Sequence, residues 1–199
     1  KLEKNWSKKF NVKHSVSVNS NTSGLFAAMG AIGISPGDEV IVPCTTMSAT
    51  AMSPIIYGGI PVFADIESDF FCIDIESVKS KITSRTKAII AVNLFGHPAK
   101  LKELKEISKR NNLYLIEDNA QAPLGQEEGA MAGTVGDIGV FSLNRHKHVH
   151  TGEGGICVTN NDELAYKLKL IRNHGECVYD GKSKKILINN IGYNFRLDE

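Results

Sequence analysis

The chain has 199 residues, and 23 Lys plus Arg against 22 Asp plus Glu give a formal net charge of +1. Apolar residues make up 42% and charged residues 23%, which excludes intrinsic disorder, because disorder needs low hydrophobicity and high net charge. The balanced charge leaves no footprint for nucleic acid or a membrane surface, and no apolar run approaches the roughly 18 residues of a membrane helix.

From the amino end, residues 1–13 are charged and amphipathic, unlike a secretory leader. Short β-branched runs then alternate with helical patterns. They predict a strand over 16–19, a helix over 22–32, a strand over 39–43, a helix over 46–57 and a strand over 61–65. A helix over 75–80, a strand over 88–93 and a helix over 99–111 come next. Strands over 113–118, 137–143 and 155–159 precede a last helix over 162–173. The 99–111 segment has the plainest period, with Leu101, Leu104, Lys105, Ile107 and Ser108 opposite Lys100, Lys102, Glu103, Glu106, Lys109 and Arg110. Asp162, after two asparagines, is the candidate N-cap of the last helix. Pro36-Gly37-Asp38 and Gly58-Gly59 read as turns.

Apolar strands joined by crossover helices predict an α/β fold: three αβα layers around a mostly parallel seven-stranded sheet. There is no interdomain linker, repeat or low-complexity segment. The basic run Lys182-Ser183-Lys184-Lys185 reads as a solvated loop. Cys44, Cys72, Cys157 and Cys177 are scattered without a CxxC, so neither a disulfide scaffold nor a zinc site is expected, and a reducing cytoplasm is. The chain does not begin with Met and ends on Arg196-Leu197-Asp198-Glu199. Both ends read as cut, so a piece of a longer polypeptide is expected.

In open parallel sheets, ligands sit beyond the carboxyl ends of the strands. After the first predicted strand, Asn19-Ser20-Asn21-Thr22-Ser23-Gly24 is a small polar turn opening a helix. It suits either an anion at a helix N-terminus or an ordinary N-cap. There is no GxGxxG and no Walker A loop, so dinucleotide and P-loop readings lose their main support. Asp118 ends an apolar strand and needs a cationic partner, or serves as a structural cap. Lys147 lies in the loop Asn144-Arg145-His146-Lys147-His148 ahead of Thr151-Gly152-Glu153-Gly154-Gly155. It is either an amine activated by neighbouring cations or a solvated lysine. His146, His148 and His150 raise the question of a metal, but their period of two and the lack of a second cluster argue for none.

Together the segments resemble the DegT/DnrJ/EryC1/StrS sugar aminotransferases, pyridoxal 5′-phosphate (PLP) enzymes of the aspartate aminotransferase fold. The resemblance covers essentially the whole chain. It runs through residues 21–25, Pro36 to Pro43, Glu117 to Ala122, Gly136 to Ser142, Lys147, Thr151 to Gly155 and Gly192 to Arg196. By this resemblance Lys147 is the Schiff-base lysine that also shuttles the proton. Asp118, 29 residues earlier, pairs with the pyridinium nitrogen. Gln121 lies near the phenolic oxygen or ring face. Thr22, Ser23 and Ser142 form a phosphate cup, and Asn194 reaches the phosphate of a neighbouring subunit in a homodimer. Met47 stands where relatives carry an aromatic residue against the ring, and Asn21 where they commonly carry glycine. Arg145 and His146 replace residues that are commonly smaller or proline.

The resemblance implies a PLP-binding large domain over residues 1–199, without an N-terminal segment and the C-terminal small domain. It further implies a cytoplasmic enzyme that transfers an amino group, usually from L-glutamate, to a nucleotide-linked keto sugar in amino-sugar or polysaccharide biosynthesis. The alternatives are a dehydratase-like PLP relative and a catalytically silent fragment. Some dehydrating relatives carry His in place of the Schiff-base lysine, and Lys147 argues against that branch.

Overall fold

The computed structural model describes residues 1–176 and 191–197; Cys177 and the basic run 182–185 lie outside the described residues. In chain order the elements are α1 (Leu2–Phe10), β1 (His14–Val18), α2 (Asn21–Ala31), β2 (Glu39–Pro43), α3 (Ser48–Ile55), β3 (Ile60–Ala64), α4 (Ile75–Lys81) and β4 (Thr86–Val92). There follow α5 (Leu101–Arg110), β5 (Tyr114–Asp118), β6 (Gln126–Glu127), β7 (Ala130–Met131), β8 (Ile138–Ser142), β9 (Gly155–Thr159) and α6 (Asp162–Arg172). Seven strands form one sheet in the order β1-β9-β8-β5-β4-β2-β3, while β6 and β7 form a separate hairpin.

The sheet is parallel except at β9, which runs antiparallel to both β8 and β1. Its direction follows from its connection. The loop from β8 to β9 folds back on itself, Leu143 N–H bonding Gly154 O, so the chain reverses. Strands β1, β5 and β8 therefore point the same way, and their carboxyl ends open on one edge of the sheet.

Strand side chains alternate between faces. Ala88, Ile90, Ile116, Ile138 and Val140 pack under Leu25, Met29, Leu164, Leu168 and Ile171 of α2 and α6. Ile41, Ile89, Ala91 and Leu115 face the other way, against Ile75 and Val78 of α4 and Leu101, Leu104 and Ile107 of α5. Phe141, Ile156 and Val158 continue that second face under Trp6 and Phe10 of α1. The result is the three-layer α/β arrangement expected from the pattern.

Three local readings change. Helix α1 carries only Leu2, Trp6 and Phe10 as its apolar stripe, four residues apart; Trp6 and Phe10 stack at 4.8 Å and meet Phe141. The cap of α6 is Asn161 and not Asp162. Asn161 Oδ1 accepts from the N–H groups of Glu163 (2.9 Å) and Leu164 (3.1 Å). Lys105 leaves the apolar face of α5 to bond Asp137 at 2.7 Å.

Candidate active site

The carboxyl ends of β1, β5 and β8, with the start of α3, enclose a cleft of about 410 Å³. Of the residues singled out in the sequence, Thr22, Met47, Asp118, Gln121, Ser142 and Lys147 line it. Asp118 ends β5 and is 4% exposed. Its Oδ1 accepts from Asn21 Nδ2 (3.1 Å) and the Ala120 N–H (3.3 Å), and its Oδ2 from Thr50 Oγ1 (2.9 Å). Burial pushes its carboxyl up, while the Thr50 hydroxyl, then Asn21, Ala120 and the charge of Lys147, pull it back. No ion pair reaches it among the described residues. A carboxylate offers about four acceptor positions. Three are filled, and Oδ2 retains one.

Glu117, one residue earlier, points to the opposite face. It accepts from the N–H groups of Gly133 (2.6 Å), Val135 (2.8 Å) and Gly136 (2.6 Å) and from Asn93 Nδ2 (3.2 Å). Burial pushes its carboxyl up against these donors, the Gly136 N–H first among them. It thus ties the 133–136 loop beneath β5 and takes no part in the cleft.

Lys147 is carried by the loop between β8 and β9. Backbone bonds fold that loop on itself: Leu143 N–H to Gly154 O (2.8 Å), Arg145 N–H to Gly152 O (2.7 Å) and Lys147 N–H to Asn144 O (2.8 Å). Asn144 Nδ2 also donates to both Glu153 carboxylate oxygens, at 2.7 and 2.9 Å. The lysine is half-buried on a braced loop, and Asn144 and Glu153 line the cleft with it.

The amino end of α2 reaches the cleft because Gly155 has no side chain. A Cβ there would stand 2.6 Å from the carbonyl carbon and oxygen of Ser20 and 2.8 Å from the nitrogen of Asn21. Ser20 caps the helix: its Oγ accepts from the Ser23 N–H at 3.1 Å and donates to Ser23 Oγ at 3.0 Å. Ser23 is therefore turned inward to its own cap and does not line the cleft, while Ser20 and Thr22 do. Successive helix residues point about 100° apart, so Thr22 and Ser23 cannot share one direction. Gln121 Oε1 accepts from the Phe95 N–H at 3.0 Å, which leaves the amide NH₂ as the end available to a ligand. Met47, 67% exposed, precedes the first turn of α3 at the rim.

Asn194 does not join this group. It is exposed, forms an antiparallel bridge with Asn173, and its C=O receives Asn19 Nδ2 at 3.5 Å. His146 lines the cleft, His148 and His150 are exposed beside it, and no three potential ligand side chains gather as a metal site among the described residues. Sequence reasoning missed Thr46 and Thr50 as site residues. Thr46 lies just before α3 and Thr50 in its first turn, and their hydroxyls meet at 2.7 Å.

The model of the DegT/DnrJ/EryC1/StrS aminotransferase family matches residues 1–199. The chain is similar to a UDP-N-acetyl-3-dehydro-α-D-glucosamine 3-aminotransferase of Acidithiobacillus ferrooxidans, with 42% identity over 189 residues, 94% of this chain and 50% of that protein. An aminotransferase structure from Psychrobacter cryohalolentis superposes with a TM-score of 0.91 at 30% identity, covering 98% of this chain and 51% of that one. An Escherichia coli GDP-4-keto-6-deoxy-D-mannose-3-dehydratase, solved with bound hydrated PLP, gives 0.87 at 32% identity, covering 98% and 55%. The chain spans about half the length of the curated relatives it matches. Among the described residues no helix is long and apolar enough to cross a membrane.

Proposed function

The chain belongs to the DegT/DnrJ/EryC1/StrS aminotransferase family, and on that premise we propose that it holds PLP and transfers an amino group to the ketone of a nucleotide-linked sugar. When bound, PLP supplies an electron-withdrawing ring and a carbonyl through which an amino group passes from donor to acceptor.

The observation that carries this reading is Asp118. A carboxylate 4% exposed, with three neutral donors, no ion pair among the described residues and one open acceptor position, suits a protonated ring nitrogen. Held there as an anion, Asp118 would keep the proton on that nitrogen. The amino end of α2, with the Thr22 hydroxyl, suits a phosphate dianion, and Ser142 adds a second hydroxyl from the end of β8. The NH₂ of Gln121 is free to donate to an oxyanion, and Met47 offers a polarizable thioether to an aromatic face. Lys147 Nζ serves as the attachment point and as the base that takes and returns the migrating proton.

Lys147 in the cleft favours amino transfer over the dehydratase branch. L-Glutamate is the expected amino donor, and amino-sugar or polysaccharide biosynthesis in the cytoplasm the expected setting. The exposed Asn194 suits service to the phosphate of a second subunit in a homodimer. Residues 1–199 are then the PLP-binding large domain.

The test is a spectral titration of the full-length protein. PLP should give a visible band that L-glutamate bleaches and a keto-sugar nucleotide restores. A band that no amino donor moves would sink the transferase reading, and the absence of any band would sink the cofactor.

A further inference from the structure

Asn21 occupies a place where helix formation asks nothing of its side chain. It is the first residue of α2, Ser20 already caps that helix, and asparagine is a poor helix former. Its side chain instead crosses to a residue 97 positions away, Nδ2 lying 3.1 Å from Asp118 Oδ1. Its own Oδ1 is buried and accepts no hydrogen bond among the described residues. A buried acceptor without a donor lowers stability, so the folded chain alone gains little from this residue. Both observations look past the helix and toward the cleft that Asn21 lines.

We propose that Asn21 is a positioning residue of this site, holding the Asp118 carboxylate through Oδ1 so that Oδ2 carries the one acceptor position left for a ligand. The proposal rests on the PLP reading above. The arrangement has a clear division of labour. Asn21 and the Ala120 N–H saturate Oδ1, so a ring N–H has a single oxygen to meet. Thr50 fixes Oδ2 from the side of α3. Without Asn21, Oδ1 regains an open position and the carboxylate can present either oxygen.

Two measurements test this in the full-length protein. The first is a double-mutant cycle by urea unfolding without PLP, using Asn21→Ala, Asp118→Asn and the pair; coupled residues should deviate from additivity at least fivefold in the folding equilibrium constant. The second is PLP titration of Asn21→Ala, with the ¹⁵N shift of the labelled ring nitrogen as a signature that a purely structural role would not move. Affinity should fall about tenfold and the shift should move toward the unprotonated value. If Asn21→Ala does not fold, Asn21→Leu, of similar size, carries the same comparison. Additive unfolding energies would overturn the contact. Coupling with unchanged PLP affinity and ring-nitrogen shift would overturn the positioning role. A wild-type protein that takes up no PLP would overturn the functional reading and this proposal with it, while the cycle still decides whether the contact exists.

Discussion

Thr50 Oγ1 donates to Asp118 Oδ2 at 2.9 Å, and a hydroxyl has one proton to give. Thr46 Oγ1, 2.7 Å from Thr50 Oγ1, is therefore the donor of that second contact. Two hydroxyls, one just before α3 and one in its first turn, thus run in series and end on the buried carboxylate. Thr50→Val keeps the size and removes the donor. It should destabilise the PLP-free protein by about 1.5–3 kcal/mol, the range for a hydrogen bond to a charged group. Thr46→Val, at the less buried end, should do less. Urea midpoints of the two variants check the order, and a larger loss from Thr46→Val would refute the direction of the relay.

Asp118→Asn keeps the shape and removes the charge. The variant should fold and retain some PLP, yet lose at least a hundredfold in turnover, because nothing then holds the proton on the ring nitrogen. Steady-state assay alongside PLP titration makes the comparison. Turnover within a few-fold of wild type would refute the role.

Lys147 stands on a loop braced by the Asn144–Glu153 contacts and lines the cleft with Asp118. Borohydride reduction of the PLP-loaded protein, followed by peptide mapping, should place the label on Lys147. Lys147→Arg should take no label and lose turnover while its melting temperature stays near that of wild type. A label on any of the other lysines would show that the loop has been misassigned.

What the sequence made legible depended on how local its cause was. The runs Val40-Ile41-Val42 and Ile89-Ile90 announce buried strands, and the order of helices between them announces a parallel sheet. Asp118 and Lys147 stand out because each follows a strand end within a short motif. Period-two patterning carries no direction, and the lack of a helix between β8 and β9 did not decide it, because β5 and β8 lack one too and still pair parallel. Helix α1 has three apolar positions in nine residues, too narrow a stripe to separate from a charged coil. Ser23 joins Thr22 in the phosphate cup only by the family resemblance, and the cap formed by Ser20 decides which of the two faces the cleft. The donor from Thr50 lies 68 residues from Asp118, a contact made by the packing of α3 on the sheet and by no local rule.

Glu39 gives the fold an acid sensitivity whose sign can be worked out. Its buried carboxylate accepts from Thr83 Oγ1 at 2.5 Å and from Arg85 Nε at 2.9 Å, with Arg85 Nη2 as a further donor. The Thr83 hydroxyl first, and the Arg85 guanidinium next, hold it below its ordinary value of 4.5. A lowered folded-state value means that the stabilisation is complete above the unfolded value and disappears as pH falls through the folded one. Wild type should therefore exceed Glu39→Gln in urea midpoint at neutral pH, and the gap should close in acid below 4.5. A gap that persists unchanged to low pH would mean that the charge of Glu39 is not its source.

Gly155 joins the packing of the sheet to the function of the cleft. Its missing side chain lets the Ser20–Asn21 peptide lie against the start of β9, and that approach brings Ser20, Asn21 and Thr22 to the cleft. In Gly155→Ala the new Cβ would meet backbone at 2.6 Å, where no side chain can swing away, so the helix end itself must move. Small-to-large changes of this kind destabilise by about 1–3 kcal/mol. Gly139→Ala, whose Cβ would fall 1.9 Å from Gly133 O, is the steric control at a position outside the cleft lining. It should destabilise at least as much through the 133–136 loop. The two should part in PLP titration under conditions where both remain folded. Gly155→Ala should lose phosphate affinity tenfold or more, measured with inorganic phosphate as competitor as well as with PLP, and Gly139→Ala should bind both nearly as wild type does. Equal binding losses in the two variants would show that general destabilisation, and not the position of the α2 amino end, governs the site.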